Sequence, residues 1–197
     1  MYTIFLSGFM ASGKTTAAKT FARMTGAEHI DLDEYIEKKL GATVSEIFAE
    51  RGEEVFRKTE ADCLRELCGR NAIVSLGGGT MTDGKNYGAV RLSGGFVVFI
   101  NTPYNLCERR IRREQGVRPI ADALNDTELE KLYNSRLALY KKNCDAEVTG
   151  ENPSLLIMAD IMEAVAGLID RLTDKESEEV LAEFPEGNPD TDTEEET

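Results

Sequence analysis

The chain has 197 residues, 41% hydrophobic and 30% charged, an ordinary balance that suffices for one full domain with a sizeable core. Its net charge of −13 argues against a non-specific nucleic-acid surface and against docking on an anionic membrane. No apolar run approaches the ~20 residues that span a bilayer. The acidity is concentrated at one end: residues 174–197 hold eleven acids against Lys175 and account for −10, leaving residues 1–173 near neutral at −3. The cysteines (Cys63, Cys68, Cys107, Cys144) form no C-x-x-C pair, and the single His29 cannot complete a Cys/His zinc set. No signal-peptide pattern precedes the first apolar run, so the expectation is a cytoplasmic protein with reduced thiols.

Tyr2–Ser7 reads as a buried strand ending at Gly8, followed by a helix over Lys14–Met24 with Ala17, Ala18, Phe21 and Ala22 at helical spacing. His29–Leu32 sits where a second strand belongs. Helices are predicted over Glu34–Leu40, over Val44–Arg51 behind a Thr43/Ser45 start signal, and over Glu53–Cys68 with Val55, Phe56, Cys63, Leu64 and Leu67 inward. Ala72–Leu76 reads as a strand running into Gly77-Gly78-Gly79, and Phe96–Ile100 as another, with a helix over Tyr104–Arg112 after it. Residues 113–125 carry charge, Gly116 and Pro119 without a period, and are read as a mobile loop. A helix over Thr127–Lys142, a strand near Ala146–Val148 and a helix over Ser154–Leu172 complete the pattern. The last helix is expected to bury Leu155, Met158, Ile161, Met162, Val165 and Ile169. Short strands alternating with helices imply a parallel sheet covered on both faces. From residue 173 to 197 the acids, Pro, Gly and Thr offer too little to bury, so a disordered tail is expected.

Residues 8–15 read Gly8-Phe9-Met10-Ala11-Ser12-Gly13-Lys14-Thr15, a full G-x-x-x-x-G-K-[ST] between a strand and a helix. Gly8 and Gly13 allow backbone angles and close approach that a side chain would block. The backbone from Ala11 and Ser12 to Thr15 and Thr16 then presents N–H groups to a polyphosphate, backed by the helix dipole. Lys14 supplies a charge at the transferring phosphate, and Thr15 a hydroxyl for Mg²⁺. This pattern specifies an NTP site and leaves the acceptor open. Asp31 and Asp33 lie at the end of the second strand, at the edge where α/β sheets bind ligands, although such a pair also serves as a helix cap. The glycine triplet ends the third strand at the same edge. Arg57 and Arg136 lie on helices, either solvated or forming a fork for a carboxylate. Ser75 stands where many P-loop enzymes carry an aspartate, which fits a metal held partly through water.

Taken in order, Asp31-Leu32-Asp33, Val44-Ser45-Glu46-Ile47-Phe48, Gly52-Glu53, Phe56-Arg57-x-x-Glu60, Leu76-Gly77-Gly78-Gly79, Arg118-Pro119 and Arg136-x-x-Leu139-Tyr140 resemble the shikimate kinase family in content and spacing over about residues 1–172. The resemblance implies an α/β P-loop NTPase of nucleoside-monophosphate-kinase-like, three-layer architecture, with a five-stranded parallel sheet in order 2-3-1-4-5. It implies ATP- and Mg²⁺-dependent phosphorylation of the 3-hydroxyl of shikimate by a monomer. By the same resemblance, Asp33 holds the substrate hydroxyls and is the candidate base, Lys14 and Arg118 complete the catalytic set, and Arg118 rides on a lid at about 113–125. Arg57 and Arg136 bind the carboxylate, Gly78 and Gly79 lend backbone contacts, and Glu60 orients Arg57. Thr15 is the direct metal ligand and Asp31 acts through water, while Arg109 or Arg110 flanks the adenine with Pro153. Met10-Ala11 and the acids Asp122 and Asp126 near the lid depart from the family pattern, and the acidic tail lies outside it. A gluconate-kinase-like enzyme of the same fold shares the P-loop but does not require the two arginines with the glycine triplet. A regulator that has lost turnover would not retain Lys14, Asp33 and Arg118.

Overall fold

The computed structural model describes residues 2–113 and 124–183, with side chains as far as Asp174. Five strands, β1 (Thr3–Ser7), β2 (Glu28–Asp31), β3 (Ala72–Ser75), β4 (Phe96–Asn101) and β5 (Ala146–Thr149), form one sheet in the order β2-β3-β1-β4-β5. Every pairing is parallel, with Phe5 opposite Val74 of β3 and Val97 of β4. The expected sheet order is therefore observed. β1 is buried along its whole length, as a central strand covered on both faces must be.

Alternation along the strands divides the core. Phe5, Val74, Val97 and Phe99 face one side, covered by α3 (Val44–Leu67), α4 (Gly84–Leu92), α5 (Tyr104–Arg113) and α6 (Asp126–Lys142). Ile4, Leu6, Ile73, Val98 and Ile100 face the other, covered by α1 (Lys14–Thr25) and α7 (Ser154–Glu183). These are the three layers. α2 (Leu32–Leu40) follows β2 directly, because Leu32 begins the helix and Asp31 caps it. All four cysteines are free thiols.

Gly52 (φ 81, ψ 165) breaks the helical path inside α3, so the two helices expected there meet at a kink. Beyond the kink Val55 turns outward, 40% exposed, while Phe56, Cys63, Leu64 and Leu67 are buried as expected. A 3₁₀ turn (Thr80–Thr82) and α4 occupy a stretch for which the sequence suggested no element. α7 extends to Glu183, past the expected end at Leu172 and into the segment read as a disordered tail. Its buried stripe is Ile157, Met158, Ile161, Val165 and Leu168; Leu155 and Met162, expected inside, are 55% and 44% exposed. The remainder of the tail and most of the expected lid, including Arg118, lie outside the described residues.

Candidate active site

Five parallel strands deliver their carboxyl ends to one edge of the sheet, and the site is assembled there. Gly8 leaves β1 at φ 145, and a Cβ at this position would lie 2.8 Å from the Ile100 carbonyl oxygen and 2.9 Å from Ser12 Oγ. Only glycine fits. The loop is fastened through its own carbonyls: Thr102 Oγ1 donates to Ser12 O (2.9 Å) and Arg110 Nη1 to Ala11 O (3.0 Å). Ala11 takes a positive φ of 58 within this fastened turn. α1 then starts at Lys14 with no side-chain cap and no acid in its first turn, so its N–H groups and dipole are directed to an anion. Lys14 Nζ donates to Gly8 O (2.9 Å) and Phe9 O (2.8 Å), which keeps the ammonium over the loop.

Beside the loop lies a cavity of ≈ 410 Å³ whose lining includes Gly13, Thr15, Thr16, Arg110 and Pro153. Of the two arginines, Arg110 borders the cavity, whereas Arg109 is exposed and is not part of its lining. Asn152 and Ser154 join the lining without having been singled out in the sequence.

Asp31 is a helix cap that also reaches the first turn of α1. Its Oδ1 accepts from the Asp33 N–H (3.2 Å) and caps α2, while its Oδ2 accepts from Ser75 Oγ (3.1 Å) and Thr15 Oγ1 (3.4 Å). His29 Nε2 lies 3.1 Å from Ser75 Oγ, and burial lowers the imidazole pKa. Among the described residues no group of three or more His, Cys, Asp or Glu side chains gathers to hold a metal. A hydroxyl and a carboxylate beside a phosphate loop nevertheless suit a hard cation such as Mg²⁺, which takes few protein oxygens and completes its shell with phosphate and water.

The glycine triplet forms a wall along which Asp33, Arg136 and Arg57 are set. A Cβ on Gly77 would be 3.1 Å from Asp33 Oδ1, one on Gly78 would be 3.3 Å from Met10 Cγ, and one on Gly79 would be 2.9 Å from Arg57 Nη2. Bare backbone is what lets these side chains stand so near the chain. Asp33, beside Gly77, has its carboxyl pushed up to about 6, chiefly by burial and then by the charges of Asp31 and Glu60. Arg57 is braced on both sides: Nη1 donates to Glu60 Oε2 (2.9 Å), while Nε and Nη2 donate to Glu53 Oε1 (3.2 and 3.3 Å). Glu60 is fully buried, and its other oxygen accepts from Thr80 Oγ1 at 2.6 Å. Arg136 Nη1 donates to Gly78 O (3.1 Å), and the Tyr140 hydroxyl donates to the same carbonyl.

Gly8–Thr16, Asp31, Asp33, Arg57, Gly78, Gly79, Arg110, Arg136 and Pro153 are thus all placed at this edge, on the loop, the cavity or the glycine wall. Thr80, Thr102 and Tyr140 were missed as supports. A signal existed for Tyr140, which shares a helix face with Arg136 at i,i+4 spacing.

A phosphate loop on the carboxyl edge of a 2-3-1-4-5 parallel sheet, with Asp33, Arg57 and Arg136 gathered along the neighbouring glycine triplet, defines the class as a P-loop kinase of small molecules. The family model described as "Shikimate kinase" matches residues 10–166. A shikimate kinase of Bacteroides thetaiotaomicron is 41% identical over 130 residues, 66% of this chain and 74% of that one. A structure of shikimate kinase from Acinetobacter baumannii in complex with shikimate aligns over 89% of this chain and 95% of that one, with TM-score 0.68 and 31% identity. The chain belongs to the shikimate kinase family. A gluconokinase structure from Sinorhizobium meliloti covers 88% of this chain and 97% of its own with TM-score 0.60, but its 15% identity marks a likeness of fold alone.

Proposed function

We propose that the chain transfers the γ-phosphoryl group of ATP to the 3-hydroxyl of shikimate, giving shikimate 3-phosphate and ADP in the route to chorismate and the aromatic amino acids. One observation carries the acceptor: Asp33 at Gly77, Arg136 at Gly78 and Arg57 at Gly79 stand in sequence along the glycine triplet beside the phosphate loop, with both arginines braced by hydrogen bonds. A small anionic triol needs arginines at its carboxylate end and an acid at its hydroxyl end.

The nucleotide lies with its phosphates in the loop from Gly8 to Thr16 and its adenine between Arg110 and Pro153. Arg57 and Arg136 hold the carboxylate, with Gly78 and Gly79 against the ring, so the reacting hydroxyl is presented to Asp33. Asp33 accepts the hydrogen bond of that hydroxyl and takes its proton as the new O–P bond forms and the bond from the γ-phosphorus to the bridging oxygen breaks. Positioning and charge stabilisation supply most of the rate, and Lys14 moves with the transferring group as its counter-charge. Thr15 directly, and Asp31 through water, would hold Mg²⁺, which when bound neutralises phosphate charge. Arg118 on the lid is assigned to phosphate and substrate by the family resemblance.

Residues 1–172 are read as the kinase unit, with a lid at about 113–125 and an accessory acidic segment from 173 onward. A cytoplasmic monomer is the accompanying reading. Of the large exposed apolar side chains, Met24, Val55 and Leu92 sit on different helices, while Leu155, Leu156 and Met162 share α7. Among the described residues no helix is long and apolar enough to cross a membrane.

ADP release from ATP, followed with shikimate, gluconate and nucleoside monophosphates in parallel, tests the activity. Turnover with shikimate alone is expected; turnover of another acceptor without shikimate would overturn the assignment.

A further inference from the structure

Strand geometry collects three polar side chains on one face at the edge of the sheet. His29 and Asp31 are two residues apart on β2 and therefore leave the same face. Asp31 is in register with Ser75 of β3, and Thr15, in the first turn of α1, reaches the same carboxylate. The direction of the hydrogen bonds follows from what each group can give. The Ser75 hydroxyl has one proton and donates it to Asp31 Oδ2 at 3.1 Å, so at the 3.1 Å contact with His29 it can only accept. His29 Nε2 is consequently the donor, and a single chain of bonds runs from His29 through Ser75 to the Asp31 oxygen nearest Thr15. Without His29 the Ser75 hydroxyl loses the partner that fixes its rotor, and Asp31 loses its directed donor.

We propose that His29 is a positioning residue for the divalent-cation site: through Ser75 it holds Asp31 Oδ2 towards Thr15, setting the oxygen geometry that a cation bound with the nucleotide meets. The proposal rests on the reading of Thr15 and Asp31 as the residues that hold Mg²⁺. A histidine that only filled the edge of the sheet would contribute to melting temperature and leave cation affinity alone.

Mn²⁺ serves as the probe. Its affinity for the full-length enzyme with ADP bound is read from the electron paramagnetic resonance of free Mn²⁺, alongside the Mg²⁺ concentration for half-maximal rate and the Tm of each variant. His29→Ala and Ser75→Ala are each expected to weaken Mn²⁺ binding about tenfold, the scale seen when the partner of a metal-binding side chain is removed. The Mg²⁺ requirement should rise in proportion, with the shikimate KM unchanged. The double variant should lose no more than either single variant, since both break one chain. His29→Gln, which keeps a donor at the position of Nε2, should restore most of the affinity. Unchanged Mn²⁺ binding in both Asp31→Asn and Thr15→Ala would overturn the underlying metal reading. If those two variants weaken binding while His29→Ala and Ser75→Ala stay within twofold of the parent, or their effects multiply, the relay is overturned and the reading survives. A lowered Tm with unaltered Mn²⁺ affinity likewise overturns it.

Discussion

Burial, with the nearby charges of Asp31 and Glu60 adding to it, lifts the Asp33 carboxyl to about 6, so this side chain changes charge close to working pH. Two consequences have opposite signs. In the role proposed for it, accepting the hydrogen bond of the substrate hydroxyl, Asp33 must be ionised, so kcat is expected to fall as pH drops through about 6. Stability moves the other way: a carboxyl whose folded pKa is raised contributes stability below its unfolded pKa and loses it as pH rises through the folded one. At pH 8 the ionised group costs on the order of 2 kcal/mol after allowance for its partial exposure. Asp33→Asn should therefore melt a few degrees higher than the parent at pH 8, converge with it near pH 4, keep nucleotide binding and lose about 100-fold or more in kcat. Calorimetry across pH and steady-state kinetics read both effects, and near-normal turnover would remove Asp33 from the reaction. For Arg136→Ala the shikimate KM should rise at least about tenfold with little change for ATP, and Arg136→Lys should recover little of it, because an ammonium cannot replace the planar fork. A strand end marked Asp33 in the sequence, whereas Arg57 and Arg136, on helices, were singled out by the family resemblance and not by any local signal. Thr102 was not legible, because its partner is the Ser12 carbonyl, 90 positions away, and no local spacing encodes such a contact.

Elements were legible where one apolar period dominated and illegible where none or several did. α4 carries Gly84 and Gly88 and buries only Asn86 and Val90, so it has no stripe for periodicity to find. α7 has the opposite problem: Leu155, Leu156, Ile157 and Met158 are consecutive and apolar, and only packing against α1 and the sheet selects the buried pair Ile157 and Met158. In α3 the residues after Gly52 start a new helical phase, which explains why Val55 faces solvent. Gly52 has open space around a would-be Cβ, so Gly52→Ala meets conformational strain alone and should cost about 1–3 kcal/mol in a denaturation experiment. Gly79→Ala separates the two properties. Its φ of −105 suits any residue, and the atom crowded at 2.9 Å is the far end of Arg57. The Tm should stay within a degree or two while the shikimate KM rises several-fold; a large loss of stability with unchanged KM would contradict the role given to Arg57.

Over the whole molecule, charge is divided between a body and its extension. Residues 174–197 carry most of the −13, while the site that must receive two anions gathers Lys14, Arg57, Arg110 and Arg136 on one edge. Sedimentation at micromolar concentration should return one species near 21.8 kDa; a dimer would contradict the monomer reading. Parallel topology is what makes the site possible, since it turns the ends of separate chain segments towards a common point. The glycine wall at that point has a consequence for inhibition. An inhibitor that takes its contacts from the Gly78–Gly79 backbone binds groups common to every residue type, which substitution cannot delete. A side chain gained at Gly79 would intrude on Arg57, and one at Gly77 on Asp33, so escape by mutation there would disturb the side chains proposed to hold the substrate.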